Sequence, residues 1–394
     1  AGKTERAPDL IDAIKAMGGI KIVDNAGRIT SEGGDVRDVF NRRYPIGLVN
    51  NRKGKPLDYV REALQEQGWL PKAGDGVNET TTADVLDLLS QHEAATYTIR
   101  VIGAKPDTDC QRVFDPSLFF EDGLTPPVLS RPDFLPIISS DSLATMLLRK
   151  AGGSVEGFVI EGPLAGGHNA PPRGQMKLTE DGQPIYGPRD VVNFEAIRKV
   201  GLPFWIGGAY GSPEGLRQAV AEGAAGIQAG TAFALCEESG MIPEMRRALV
   251  RKALAGQAKA FTDPVASPTG FPFKVAQLEG TLSEKEVFEA RQKRCDLGYL
   301  REFYLKEDGA IGSRCPAEPV AAYLAKGGKI EDTVGRKCIC NGLFANIGLG
   351  QVLPDGSREP GIVTLGDDFV NVGRLCKNGE LDYTAEDVVR FLLG

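Results

Sequence analysis

The chain is poor in histidine: 394 residues contain only two, His92 and His168, so the setting of each is informative. Positive charge is short as well. The 46 Lys and Arg are outnumbered by 53 Asp and Glu, for a formal net charge of -7. Nucleic acid and anionic membrane surfaces require clustered Lys and Arg to neutralise phosphate, so neither is an expected partner, and small molecules or proteins are. No run of about 18 apolar residues occurs, which argues against a membrane-spanning helix. The stretch AGKTERAPDL lacks the apolar core and cleavage pattern of a secretory signal, so a cytoplasmic location is expected. Cysteine totals seven, an odd number without such a signal, which fits reduced thiols better than a disulfide framework.

What is present is ordinary globular composition, 42% hydrophobic and 25% charged, in a chain long enough for two or three domains. Residues 1–95 read as a small α+β module. DLIDAIKAM and PLDYVREALQEQG have helical patterns, IKIVD and RIT flank a turn at Asn25-Ala26-Gly27, and TTADVLDLLSQH reads as a helix with Thr82 as its N-cap. No catalytic cluster is visible there, so a structural or docking role is expected.

Beyond Thr96 the texture changes. PIISS precedes DSLATMLLRKAGG, GFVIEG precedes a long loop and VVNFEAIRKVG, LPFWIGG precedes SPEGLRQAVAEGAA, and AGIQAGT precedes a helical stretch toward Glu238. Four strand-then-helix units in succession predict an α/β fold with parallel strands joined by right-handed crossovers. The spacing suits half of a (β/α)8 barrel over residues 96–260, with 261–394 as a helical extension.

The motif EGPLAGGHNAPPRG, residues 161–174, places His168 in a loop at the carboxyl end of a buried strand, where α/β proteins keep their chemistry. Gly166 and Gly167 permit a sharp turn that would aim the imidazole at a ligand, and Pro171 and Pro172 would stiffen the descending arm. Gly207-Gly208 and Ala229-Gly230-Thr231 put small residues ahead of helix N-termini, where backbone N–H groups can hold a phosphate. Each signal has a plainer reading: paired glycines are common in tight turns, and a lone histidine is more often structural than catalytic. Cys295, Cys315, Cys338 and Cys340 form a C-x19-C-x22-C-x-C series. Four thiolates would suit zinc or an iron–sulfur cluster, although the usual CxxC knuckles are absent and reduced structural thiols are the plainer alternative.

The series EGPLAGGH, PFWIGGAYGSPEGL and AAGIQAGTAFAL, with the tail TVGRKCICNGLFANIGLGQ, resembles the C-terminal half of the nitronate monooxygenase family, also called 2-nitropropane dioxygenase-like, over about residues 97–394. These are FMN-dependent TIM-type barrels related to flavin enoyl-acyl-carrier-protein reductases. The resemblance implies FMN as cofactor, a small-molecule substrate, oxygen as co-substrate, and His168 as the base that takes the α-proton of a nitroalkane. It assigns flavin contacts to Glu161, Gly166, Gly208, Gln228, Ala229, Gly230 and Thr231, and leaves Arg173 to hold an anionic group or form a surface salt bridge. Where the family has Gln, this chain has Glu161, and the first barrel strands have no counterpart in residues 1–95. The half-barrel would then be closed by a second copy in a homo-oligomer, covered by the N-terminal module, or left incomplete. A reductase-like enzyme or a non-catalytic flavin-binding module is the alternative to a nitronate oxidase.

Overall fold

The computed structural model describes residues 22–23, 29–31, 79–120, 127–353 and 356–394. The helices expected at DLIDAIKAM and PLDYVREALQEQG lie outside them. Within them, β1 (Ile22–Val23) pairs antiparallel with β2 (Ile29–Ser31), while the turn expected at Asn25-Ala26-Gly27 lies outside the described residues. Helix α1 (Glu79–Ser90) starts earlier than expected, so Thr82 lies inside it and is not its N-cap. Three successive threonines are equivalent capping candidates, and sequence alone does not choose among them. Strand β3 (Ala95–Thr98) turns Ala95 and Tyr97 inward and its threonines outward. It pairs antiparallel with β5 (Gln111–Phe114), across a short excursion through β4 (Val101–Ile102).

The centre of the fold is a four-stranded parallel sheet in sequential order: β6 (Ile137–Ile138), β7 (Phe158–Glu161), β8 (Phe204–Gly207) and β9 (Gly226–Gln228). All four strands fall where the continuous apolar runs predicted them, because a strand covered on both faces has no polar alternation to display. The connecting helices begin at side-chain caps. Ser140 accepts from the Leu143 amide ahead of α2 (Asp141–Lys150), and Asn193 from Ala196 ahead of α3 (Phe194–Arg198). Ser212, with Pro213 next to it, accepts from Gly215 at the start of α4 (Pro213–Ala221). One face of the sheet, with Ile138, Phe158, Ile160, Phe204 and Ile206, is sealed by Ala144, Leu147, Ile197 and Ala219 of these helices. The other carries Ile137, Val159 and Trp205, and ends at the carboxyl side in Glu161, Gly207 and Gln228, aligned across three strands. No closed barrel is present among the described residues.

The rest of the chain departs from the expected helical extension. Helices α5 (Thr231–Ala234) and α6 (Pro243–Leu254) lead into an antiparallel hairpin of β10 (Ala260–Asp263) and β11 (Phe273–Ala276). After α7 (Lys285–Ala290), a second hairpin of β12 (Glu302–Leu305) and β13 (Ile311–Arg314) forms, and β12 also pairs in parallel with β4. Helices α8 (Val320–Ala325), α9 (Ile339–Asn346), α10 (Phe369–Leu375) and α11 (Ala385–Leu393) complete the order. Strands as polar as IGSR carry little apolar signal, which is why the pattern missed them. A boundary at residue 260 would also cut through packed side chains: Leu235, Leu249 and Val250 share one core with Ala276, Val363, Leu365, Phe369, Val372 and Val388. No helix among the described residues is long and apolar enough to cross a membrane.

Leu249, fully buried in that shared core, provides the test. Leu249→Ala should lower the unfolding free energy by about 2–5 kcal/mol in a urea titration followed by tryptophan fluorescence. A loss below about 1 kcal/mol would mean the two segments do not support one another.

Candidate functional site

A cavity of about 230 Å³ opens at the carboxyl ends of β7, β8 and β9. Three glycine-bearing loops, one from each strand, form most of its wall. Glu161, Gly166, Gly167, Gly208, Gln228, Ala229, Gly230 and Thr231, all expected from sequence, line it. Gly207 sits beneath, between the side chains of Glu161 and Gln228. A Cβ there would lie 3.3 Å from Glu161 Cγ and 3.6 Å from Gln228 Cβ. Its bareness lets Gln228 Nε2 donate to Glu161 Oε1 across the intervening strand, at 2.8 Å. Burial pushes the Glu161 carboxyl up, and the Gln228 hydrogen bond partly opposes this.

The turn after β8 is the most constrained part of the wall. Gly208 takes φ +95° and Ala209 takes φ +63°, a left-handed conformation that costs an ordinary residue of order 1 kcal/mol or more. Among the described residues, the amides of Gly208, Ala209 and Gly230 meet no acceptor. Such donors at the carboxyl edge of a parallel sheet favour an anion. Ala209 was not singled out from sequence, because positive φ at a non-glycine leaves no composition signal.

The fourth wall comes from a segment that sequence reasoning missed. Thr364, Leu365, Gly366 and Asp368 also line the cavity. Gly167 N–H donates to Thr364 Oγ1 at 2.7 Å, Gly366 N–H to Thr231 Oγ1 at 2.9 Å, and Asp367 N–H to the Leu164 carbonyl at 3.1 Å. Gly211 N–H donates to Asp368 Oδ2 at 3.0 Å, and burial pushes the Asp368 carboxyl up. Gly166 is required by this segment: a Cβ at 166 would lie 2.8 Å from Gly366 N and 2.9 Å from Leu365 C.

His168 follows the cavity wall without being part of it. Its Nε2 shares a 2.6 Å hydrogen bond with Ser267 Oγ, and its ring meets Phe273 edge-on, 4.8 Å between centroids. Backbone bridging to Phe273 fixes the loop against β11. The imidazole is thus directed to the β10–β11 connection, whereas the glycine pair suggested that it would face the ligand. Burial holds its pKa below the usual 6.5, which keeps the ring neutral at pH 7. Among the described residues only Nε2 has a hydrogen-bond partner, so Nδ1 remains available. Arg173 is exposed and does not line the cavity, and its backbone N–H is held by Asp190.

The cysteines of the C-x19-C-x22-C-x-C series do meet: Cys295, Cys315 and Cys338 pack together, and Cys340 lies two residues beyond Cys338 in the first turn of α9. Yet among the described residues no group of three or more His, Cys, Asp or Glu side chains is arranged to hold a metal ion, contrary to the zinc or iron–sulfur expectation.

Residues 130–266 match the family model described as Nitronate monooxygenase. That segment carries β6 to β10 and three walls of the cavity, while Ser267, Phe273 and Thr364–Asp368 lie beyond it. None of the curated proteins matches the chain. Among solved structures the chain is similar to FabK from Thermotoga maritima, with 18% identity and a TM-score of 0.36, over 66% of this chain and 60% of that one. It is also similar to a single-site mutant of the same protein, with 18% identity and a TM-score of 0.34, over 66% and 58% of the two chains. The chain therefore spans about 60% of the length of these solved structures.

Gly166→Ala tests the fourth wall. The added methyl meets backbone on the C-terminal segment, so a loss of about 1–3 kcal/mol in stability is expected. Gly162→Ala, whose Cβ would meet nothing within 4 Å, is the control. Equal effects of the two would show that the segment does not press on Gly166.

Proposed function

We propose that the chain is an FMN-dependent oxidoreductase that oxidises alkyl nitronates or nitroalkanes with oxygen to a carbonyl compound and nitrite. The observation that carries this reading is the set of unpaired amides at Gly208, Ala209 and Gly230, facing one cavity at the carboxyl ends of parallel strands within the matched segment. The cavity is smaller than the roughly 300–1,000 Å³ of complete ligand sites. It suits the phosphate-bearing end of the flavin, with these amides and the Thr231 hydroxyl as its donors. Asp368 and Glu161 share the wall, and burial raises the pKa of both carboxyls. When bound, FMN would supply the redox chemistry.

The chain's own residues do the rest. His168, neutral and fixed through Nε2 by Ser267, takes the carbon-bound proton at Nδ1. The reacting carbon would sit on that edge of the ring, outside the phosphate-sized cavity. A second copy of the chain would cover the sheet face carrying Ile137, which is 50% exposed, and would complete a barrel from two halves. A flavin reductase acting on an unsaturated thioester is the second reading, since it would use the same phosphate wall.

Gly230 offers the cleaner variant for the cofactor. At Gly208 positive φ and the Ala165 amide 3.0 Å from a Cβ would disturb the loop itself, whereas at Gly230 a Cβ meets nothing within 4 Å. Gly230→Val should weaken FMN retention at least about tenfold, a loss of roughly 1.4 kcal/mol, at an unchanged unfolding midpoint, read by flavin absorbance after gel filtration. Wild-type flavin content in the variant would place the phosphate elsewhere.

His168→Asn should lower oxygen uptake with a neutral nitroalkane by ~10²- to 10⁴-fold. The pre-formed nitronate needs no base and should lose far less. Equal losses on both substrates would reduce His168 to a positioning role, and absence of uptake with either in the wild type would favour the reductase or a non-catalytic flavin binder.

A further inference from the structure

Away from the cavity, two thiols stand in unlike settings beside one another. Cys295 lies in the loop after α7 and is partly exposed, while Cys315, directly after β13, is buried. Cys295 packs against the buried cluster that Cys315 forms with Ala317 and Cys338. Arg301 Nε donates to Cys295 Sγ at 3.4 Å, and its Nη2 to the Cys295 carbonyl at 3.1 Å. The Cys315 backbone is pinned by Glu318, whose carboxylate accepts the Cys315 amide at 3.3 Å and is itself paired with Lys326 at 2.8 Å. A guanidinium thus donates to the more accessible sulfur, and a second thiol packs beside it.

We propose that Cys295 and Cys315 form a dithiol that hydrogen peroxide oxidises to a reversible disulfide, with Cys295 as the attacking sulfur and Cys315 as the resolving one. The Cys295 thiolate attacks a peroxide oxygen. The O–O bond breaks, the departing oxygen leaves as water after protonation, and Cys295 becomes a sulfenic acid. The Cys315 sulfur then attacks the sulfenic sulfur, the S–O bond breaks, and a second water leaves as the S–S bond forms. Two thiols lose two electrons, and one peroxide becomes two waters.

The neighbouring cysteines are unsuited to the first step. Burial raises the Cys338 thiol and pushes Cys340 up to about 11, so both stay protonated, whereas the neighbouring Cys315 thiol and the Arg301 guanidinium hold Cys295 below the ordinary thiol range. No residue of this cluster lines the cavity, so the dithiol is independent of the flavin reading.

The experiment treats the reduced, desalted full chain with hydrogen peroxide and follows intact mass and peptide maps. The expected product has lost two hydrogens and contains a Cys295–Cys315 cross-linked peptide, which dithiothreitol reverses. Cys295→Ser should slow thiol loss at least about tenfold, and Cys340→Ser should leave it unchanged. Cys315→Ser should stop at a sulfenic acid that dimedone traps. Arg301→Met retains both thiols and should slow the reaction severalfold, which guards against a Cys295 variant that fails to fold. The proposal is overturned if the folded chain stays reduced under peroxide that oxidises the urea-unfolded chain, if the cross-link joins other cysteines, or if the purified protein carries one metal ion per chain bound through these thiols.

Discussion

Backbone touching backbone at Gly166 is the constraint on which the rest of the site depends. The Leu365–Gly366 peptide passes so close that any side chain at 166 would collide with it. Because it passes there, Thr364 can reach the Gly167 amide, Gly366 can reach the Thr231 hydroxyl, and Asp368 can reach the Gly211 amide. One strip of chain thereby ties together the loops after three successive strands. The glycines of this motif serve two purposes: Gly166 admits the chain's own backbone, while the amides of Gly208 and Gly230 are left for a ligand.

A second tie runs beside the first. Lys274 on β11 donates its backbone amide to the Gly167 carbonyl at 2.9 Å and pairs its buried ammonium with Asp367. Arg291 and Glu359, 2.5 Å apart and almost wholly buried, do similar work between α7 and the approach to the same segment. Buried pairs gain little net stability, because desolvation offsets most of their attraction, but breaking one partner is costly. Their contribution here is to fix the path of the C-terminal segment.

The strands of the parallel sheet and most of the cavity wall were legible in the sequence for one reason. A strand buried on both faces is written as a continuous apolar run, and a loop that approaches backbone or ligand is written in glycine. The fourth wall was illegible because VTLGDD has no long apolar run and only a single glycine, and its meaning lies in partners 135 and 197 residues away. The setting of His168 was half legible. Its place at a strand end followed from GFVIEG, but the direction of its ring is decided by Ser267, 99 residues on, in a region whose hairpins left only faint apolar alternation. The four cysteines were visible as a cluster, yet their geometry depends on the start of α9, which spacing alone did not disclose.

The long reach of these ties sets a kinetic order. Local strand–helix units can close early, but joining Gly167 to Thr364 closes a loop of 197 residues, and such contacts form only after the entropy of ordering the intervening chain has been met. By this reasoning the anion wall belongs to the late-forming contacts of the fold. Any ligand that binds only the assembled wall draws the equilibrium toward closure by mass action. Occupancy thereby stabilises the closed wall, so amide exchange at Gly167 and Gly366 would register a bound molecule even though neither amide touches it.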